Sequence, residues 1–330
     1  MYVSIIINNY NYDRWLGEAI DSALQQDYAD IEVIVVDDGS TDNSRAIIHR
    51  YGDKIRAVFQ DNGGQGSAYN AGFAVSRGDI VLFLDADDRL HPHCVSEIVP
   101  RFKLGVSKVQ FGLKIIDEHS RSVGRPVLSV QPEPKEFLML LQKFLFYPSP
   151  PGSGNAYSRD FVAKRLPIPP ERWRINADTC LIFTAPLDGE VIDHNACLGD
   201  YRRHGRGASE KNTDELETYL SKEYAKMVHA RNYITEALRS SLSDLPVNNY
   251  AFPPVHLKIE VAKTLSSRHV NAGISKKLRL LTESFRTASD WTPWSCPKRW
   301  ALPFWVLLAC LLPRAMRKRF FTVSLAHSGY

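Results

Sequence analysis

The first 115 residues read as an α/β chain built on a mostly parallel sheet, and the region beyond about residue 206 reads as a helical extension. Three features predict this. Short apolar, β-branched runs alternate with helix-length stretches. The run Ile80–Leu84 is apolar throughout, as a strand covered on both faces must be. Four of the runs end in polar clusters rich in Asp, Asn and Gly.

Val3–Ile7 is the first strand-like run, followed by a helical stretch over 14–27. Ile31–Val36 precedes a helix over 41–51, and Ile55–Phe59 precedes one over 65–76. Ile80–Leu84 precedes a helix over 92–102, and a fifth run covers Lys108–Ile115. Strands separated by helices of this length form parallel βαβ units. Past residue 115 the pattern loosens. Pro132, Pro134 and the Pro148–Gly154 stretch read as loops, and strand-like runs return at about 190–203. From Thr213 to about Arg239 the pattern is helical, with Thr213 as N-cap and Glu215 and Glu217 in the first turn, and amphipathic helices continue to about 288. A boundary within 206–212 divides the chain into a domain over 1–208, a helical extension over 209–290 and a tail over 291–330.

Composition narrows the function. Hydrophobic content of 44% with 24% charged residues excludes wholesale disorder and collagen-like repeats. The five cysteines, Cys94, Cys180, Cys197, Cys296 and Cys310, form no C-x-x-C pair, which indicates neither a zinc site nor a disulfide scaffold. An odd, sparse set fits a reducing compartment. Val3-Ser4-Ile5-Ile6-Ile7 follows the first residues directly, without a signal peptide's charged flank or cleavage site, so a cytoplasmic location is expected. The net charge of +4 hides an asymmetry: residues 291–330 hold six Lys/Arg and no acid, leaving 35 basic against 37 acidic residues elsewhere, a balance of −2. A near-neutral body argues against nucleic acid as a partner.

The chemistry is written where the strands end, since ligands of open α/β sheets bind beyond those ends. The first run gives Asn8-Asn9-Tyr10-Asn11, and the second Asp37-Asp38-Gly39-Ser40-Thr41-Asp42. The third leads through Asp61-Asn62-Gly63-Gly64-Gln65-Gly66 to Asn70-Ala71-Gly72, and the fourth ends in Asp85-Ala86-Asp87-Asp88. Carboxylates crowded on one rim repel each other unless a cation sits among them. Asp-x-Asp at a strand end suits a divalent metal with oxygen ligands, able to grip a diphosphate. Ser40 or Thr41 can cap the next helix, but two adjacent carboxylates exceed what a cap requires, and one can accept the N3–H of a uracil ring. The glycine run lacks the Lys-Ser/Thr of a P-loop and the third glycine of a dinucleotide fingerprint, and reads as a turn whose backbone approaches the nucleotide.

Residues 3–88 resemble the nucleotide-binding half of a family 2 glycosyltransferase of GT-A fold, a Rossmann-like, mostly parallel sheet flanked by helices. The match runs from Val-Ser-Ile-Ile-Ile-x-x-Tyr-Asn through Val-Val-Asp-Asp-Gly-Ser-Thr-Asp and Asn-x-Gly…Asn-Ala-Gly to Leu-Phe-Leu-Asp-Ala-Asp-Asp. The resemblance implies that Asp38, with Asp37, contacts the nucleoside. It implies that Asp85 touches ribose or metal, that Asp87 is the principal ligand of a Mn²⁺ or Mg²⁺ ion, and that Asn9, Asn11, Asn62, Gly66, Asn70 and Ala86 line the nucleotide-sugar pocket. Tyr69 stands where many relatives carry Arg. The family's catalytic carboxylate, usually in Glu-Asp at a helix start, matches Asp178 in Asn176-Ala177-Asp178-Thr179, with Ala177 replacing the Glu and a helix expected over 179–187. Tyr201-Arg202-Arg203-His204-Gly205 resembles the family's Tyr-Arg-x-His segment, able to close over the diphosphate, with His204 as a further metal ligand. Trp173 and the Pro148–Asn155 loop are candidate acceptor-side elements.

The implied activity is inverting, metal-assisted transfer of a sugar from a nucleotide-sugar, a UDP-sugar above all, to a hydroxyl of a glycan or lipid-linked sugar. Asp178 is the expected base. A sugar-nucleotide nucleotidyltransferase is an alternative, although Asn8-Asn9-Tyr10-Asn11 stands where its Gly-x-Gly-Thr-Arg-like loop belongs. A non-catalytic nucleotide-binding scaffold is another. Trp300–Leu312 is mostly apolar, flanked by Lys298 and Arg299 on one side and Arg314, Arg317, Lys318 and Arg319 on the other. It is shorter than the roughly 20 residues a span needs, and Pro303 interrupts it. Residues 298–320 are therefore expected either to lie on the anionic inner face of a membrane or to pack as a C-terminal helix.

Overall fold

The computed structural model describes residues 1–124, 126–127, 132–204, 216–242, 250–266 and 273–326. In chain order the elements are β1 (Val3–Asn9), α1 (Asp13–Leu24), β2 (Ile31–Asp38), α2 (Ser44–Arg50), β3 (Arg56–Gln60), α3 (Gln65–Val75), β4 (Ile80–Asp85), β5 (Arg89–Leu90), α4 (Cys94–Ile98) and β6 (Val106–Ile116). There follow α5 (Pro134–Phe144), β7 (Asn155–Ser158), α6 (Arg159–Arg165), α7 (Asp178–Ile182) and β8 (Glu190–Arg202). The last five helices are α8 (Leu216–Ser241), α9 (Pro254–Ser266), α10 (Ile274–Asp290), α11 (Cys296–Leu311) and α12 (Arg314–Ala326). Two units divide the chain: Met1–Lys135 with Ser149–Ala208, and Glu136–Pro148 with Ser209–Tyr330.

In the first unit the eight strands form one sheet of order β3-β2-β1-β4-β7-β6-β8-β5. β1 is parallel to β2 and β4, and β2 is parallel to β3. β7 is antiparallel to β4 and β6, β8 is parallel to β6, and β5 is antiparallel to β8. The apolar interiors of β1 and β4, such as Ile5, Ile7, Leu82 and Leu84, are buried together with Leu16 and Ile20 of α1. α1 buries Trp15, Leu16, Ala19, Ile20 and Ala23, the spacing of one helix face.

The first four strands fall where the apolar runs predict them. Several later elements differ. The helix expected over 92–102 ends at Ile98 and continues as a 3₁₀ turn, Val99–Arg101, in which Pro100 lacks the N–H an α-helix needs. The helix expected over 179–187 is α7 followed by a 3₁₀ turn at Ala185–Leu187, again with a proline, Pro186. α5, β7 and α6 lie in the stretch that reads as loosely patterned.

In the second unit, Leu216 and Leu220 of α8, Leu257 and Val261 of α9, Leu280 of α10, Leu302 and Val306 of α11 and Phe321 of α12 form one buried cluster. Residues read as a separate extension and tail thus share a core. α5 joins this unit: Ala251 N–H donates to the Lys143 carbonyl, and the Lys143 ammonium lies 3.0 Å from Asp290. Pro303 is buried inside α11, which continues through it. The outer face of α11 exposes Trp300, Phe304, Leu307, Leu308 and Leu311. Among the described residues no helix is long and apolar enough to cross a membrane. Thr213, Gly205 and the boundary at 206–212 lie outside the described residues.

Candidate active site

Because β1 to β4 are adjacent and parallel, their carboxyl ends share one edge, with Asn9 opposite Asp37 and Asn8 opposite Asp85. Strand order reverses between β1 and β4, the position where open α/β sheets bind ligands.

At the end of β2 the acids are held by the chain's own donors. Asp37 Oδ1 accepts from Asn9 Nδ2 at 2.9 Å, and its Oδ2 accepts from Arg45 Nε at 3.1 Å. Asp38 accepts from the Gly63 N–H at 2.8 Å, the Gly64 N–H at 2.7 Å and Gln60 Nε2 at 2.5 Å. Asn11, with φ of 58°, accepts from the Thr41 N–H at 2.7 Å. These bonds tie together the loops after β1, β2 and β3.

At the end of β4 the acids face each other. Carboxylate oxygens of Asp85, Asp87 and Asp88 lie within 4.8 Å of one another. Burial, then the charges of Asp87 and Asp178, push the Asp85 carboxyl up to about 7. Burial and the charges of Asp87 and Asp85 also raise Asp88 well above the usual carboxylate range. Asp88 has both oxygens engaged, by Ser153 Oγ at 2.6 Å and the Arg202 N–H at 2.8 Å. Asp87 Oδ2 lies 2.7 Å from His204 Nε2, and that imidazole is buried against Trp15. Asn8 Nδ2 donates to Asp85 at 2.9 Å, while Asn8 Oδ1 is buried with no partner among the described residues. Crowded carboxylates, an adjoining imidazole and an orphaned carbonyl oxygen are a donor set that fits a hard divalent cation. Asp85, Asp87 and His204 are the groups that would hold it.

Asp178 opens α7, with Ala177 as N-cap. The Thr179 N–H donates to its Oδ1 at 3.0 Å, and burial pushes its carboxyl up. A side chain on Gly152 would approach Asp178 Oδ2 at 3.4 Å and the Tyr69 hydroxyl at 3.6 Å, so this glycine keeps the space beside Asp178 open. Tyr69 is buried and stacks on Phe83 with centroids 4.0 Å apart.

Several expected residues have other neighbours. Asn70 is taken up by the Ile168 backbone, donating to its carbonyl and accepting from its N–H, both at 2.8 Å. The Gly66 N–H donates to the Trp173 carbonyl at 2.9 Å. Beta carbons at Gly64 and Gly66 would fall 2.5 Å from Arg174 Cα and 2.9 Å from the Trp173 carbonyl oxygen, so both glycines serve a close backbone crossing. Asn62 pairs with the Arg174 guanidinium. The Ala86 side chain lies in the apolar core. Trp173 is buried, which makes it packing for this loop rather than an acceptor surface. Within the Tyr201–Gly205 segment, expected to close over a diphosphate, the Arg202 guanidinium donates to the Asp87 carbonyl, Ser120 and Glu18. Gln65, Asn8 and Ser153 fall within segments the sequence singles out, but none has a role assigned there, because the residue type alone does not say which side chain of such a segment turns inward.

Residues 4–166 match the family described as Glycosyl transferase family 2. An uncharacterized glycosyltransferase of Nostoc sp. is 40% identical over 246 residues, covering 72% of this chain and 76% of that protein. One of Rickettsia typhi is 41% identical over 124 residues, 37% of this chain and 39% of its own length. Among solved structures, S. aureus TarS residues 1–349 in complex with UDP-GlcNAc superposes with a TM-score of 0.52 at 15% identity, covering 99% of this chain and 91% of that one. The fold is therefore that of GT-A glycosyltransferases, with acids from separate strand ends gathered on one rim of its sheet. This chain belongs to glycosyl transferase family 2 and is a glycosyltransferase.

Proposed function

We propose that the enzyme moves a sugar from a UDP-sugar to a hydroxyl of a glycan or lipid-linked sugar, with inversion at the anomeric carbon, in the synthesis of a surface glycan or polysaccharide. The observation that carries this reading is that two neighbouring residues meet both groups: a side chain on Gly152 would stand 3.4 Å from Asp178 Oδ2, and Ser153 Oγ donates to Asp88 Oδ2 at 2.6 Å and accepts from the Asp85 N–H at 3.1 Å. The expected base and the acids of β4 thus flank one short loop. UDP-GlcNAc, the compound in the TarS complex, is of the class proposed.

Asp178 removes the proton of the acceptor hydroxyl as that oxygen bonds to the anomeric carbon and the bond to the diphosphate oxygen breaks. One displacement inverts the centre. Burial raises the affinity of Asp178 for that proton, which makes it a stronger base than an exposed carboxylate. Asp85, Asp87 and His204 would hold a cation, Mn²⁺ or Mg²⁺, and the bound ion would supply Lewis-acid stabilisation of the charge developing on the leaving diphosphate. Asp37 and Asp38, with Asn9 and Asn11, form the wall of the uridine pocket.

The exposed apolar face of α11, beside a chain end without acids, supports peripheral contact of residues 298–320 with an anionic leaflet on the cytoplasmic side. An acceptor carried on a lipid would then lie at the same surface.

UDP release from a panel of UDP-sugars, with Mn²⁺ and hydroxyl acceptors, tests the reaction. Asp178→Asn is expected to lower turnover by roughly 10²–10⁴-fold, the usual worth of base catalysis. Wild-type turnover in that variant removes Asp178 from the mechanism.

A further inference from the structure

The segment from Ile168 to Ala177 carries the chain into Asp178, and it rests on the first turns of α3. The Gln65 N–H donates to the Arg174 carbonyl and the Gly66 N–H to the Trp173 carbonyl, each at 2.9 Å. Asn70 holds the Ile168 backbone with two bonds of 2.8 Å. The last bond of the set comes from a side chain: Gln65 Oε1 accepts the Ala177 N–H at 2.9 Å. Ala177 is the N-cap of α7, and the first N–H groups of a helix have no partner within it. Gln65 therefore pins the residue immediately before Asp178.

The other end of the same amide points the opposite way. Gln65 Nε2 lies 3.4 Å from Asp85 Oδ1, a long contact to the end of β4. One planar group thus touches the acidic strand end on one side and the base-bearing loop on the other. The demand on residue type is specific. The site needs an acceptor toward a backbone N–H and a donor toward a carboxylate, fixed relative to each other. Glu offers only acceptors when ionised and would add a charge beside Asp85, and Leu of similar reach offers neither.

We propose that Gln65 is a positioning residue, holding Asp178 at a fixed displacement from the Asp85–Asp87 end of β4. The inference rests on Asp178 being the base. Gln65 does not touch the reacting atoms; it sets where the base stands. A small displacement of a catalytic group is expensive in rate because the reacting geometry is narrow, and an error near 1 Å costs about 10²-fold. Donor binding rests on Asp85, Asp87 and His204 and on the wall at the end of β2, which Gln65 reaches only through one long contact of 3.4 Å, and is expected to survive the loss of this amide.

The experiment is a kinetic cycle on the full chain with a UDP-sugar, Mn²⁺ and an acceptor, using Gln65→Leu, Asp178→Asn and the double variant. Gln65→Leu is expected to lower kcat roughly 10- to 100-fold. Donor KM, and UDP affinity measured by calorimetry in Mn²⁺, stay within about twofold of wild type. In the Asp178→Asn background the same substitution costs nothing further, because residues that act through one another are non-additive. A kcat for Gln65→Leu equal to wild type overturns the inference. So does a loss of UDP affinity that matches the loss of kcat, or a full additional loss in the double variant. Wild-type turnover by Asp178→Asn instead sinks the base assignment itself, a distinguishable result. Thermal melts confirm folding, and if Gln65→Leu does not fold, Gln65→Ala is judged by the same criteria.

Discussion

The two acidic strand ends of this sheet look alike in sequence and differ in what the chain does with them. At β2, Asp37 and Asp38 meet an arginine, an asparagine, a glutamine and three backbone N–H groups. At β4, Asp85, Asp87 and Asp88 also have partners in the chain, yet they crowd one another as well, and burial together with mutual repulsion lifts two of the three carboxyls. A carboxylate satisfied by its own chain builds a wall. Carboxylates left facing each other in a low-dielectric rim mark the place for a cation. Counting aspartates in the sequence does not separate these cases; their partners do.

The largest effect that would sharpen this contrast is at Asp87. Asp87→Ala is expected to abolish detectable transfer, a loss of at least about 10³-fold, by removing the central carboxylate and the partner of His204. Transfer at more than a tenth of the wild-type rate in a radiolabelled donor assay would place the cation elsewhere. At β2 the main cost falls on the fold. Asp38→Ala deprives the Gly63 and Gly64 N–H groups of their acceptor and is expected to destabilise the protein by about 1–3 kcal/mol in urea denaturation. An unaltered midpoint would mean that Asp38 orders nothing.

A smaller effect concerns the α11 face. Phe304→Ser with Leu311→Ser is expected to weaken sedimentation with phosphatidylglycerol-containing vesicles by at least roughly 10-fold, about 1.4 kcal/mol, because shallow burial in the interface realises only part of the about 1.5–3 kcal/mol each side chain is worth when fully buried. Equal sedimentation of variant and wild type would count against membrane contact through that face. The smallest effect is on pH. The native Asp85 carboxyl, raised to about 7, binds a proton more readily than in the unfolded chain, so in chelator stability falls as pH rises from the ordinary carboxylate range to about 7 and then levels. Melting in EDTA should be higher at pH 6 than at pH 8 by about 2–4 °C, and Mn²⁺ should remove that slope. A flat profile in EDTA would show that the acids of β4 do not strain one another.

The half of the sheet that carries these acids was legible because its signals are local. Val3–Ile7, Ile31–Val36 and Ile80–Leu84 are buried strands by composition alone, and the residues after them must sit on the rim. The other half depends on pairing between distant residues. β7 has four residues, and its place comes from lying between β4 and β6. β8 runs beside β6 through register shifts near Gly112, which blur any period of two. The site divides in the same way. Asp85 and Asp87 announce themselves at a strand end, whereas Gln65 reaches a partner 112 residues away and Ser153 one 68 residues away. Asn70 and Gly66 have the residue types of a nucleotide pocket, yet they face the 168–174 backbone, a crossing that no local pattern encodes.

Calorimetric titration of UDP into wild type, Asp87→Ala and Asp178→Asn, each with and without Mn²⁺, tests most directly whether the β4 acids grip the donor while Asp178 does the chemistry. The account predicts Mn²⁺-dependent binding of wild-type strength in Asp178→Asn and its loss in Asp87→Ala. Mn²⁺-dependent binding that survives in Asp87→Ala, or disappears in Asp178→Asn, would contradict it.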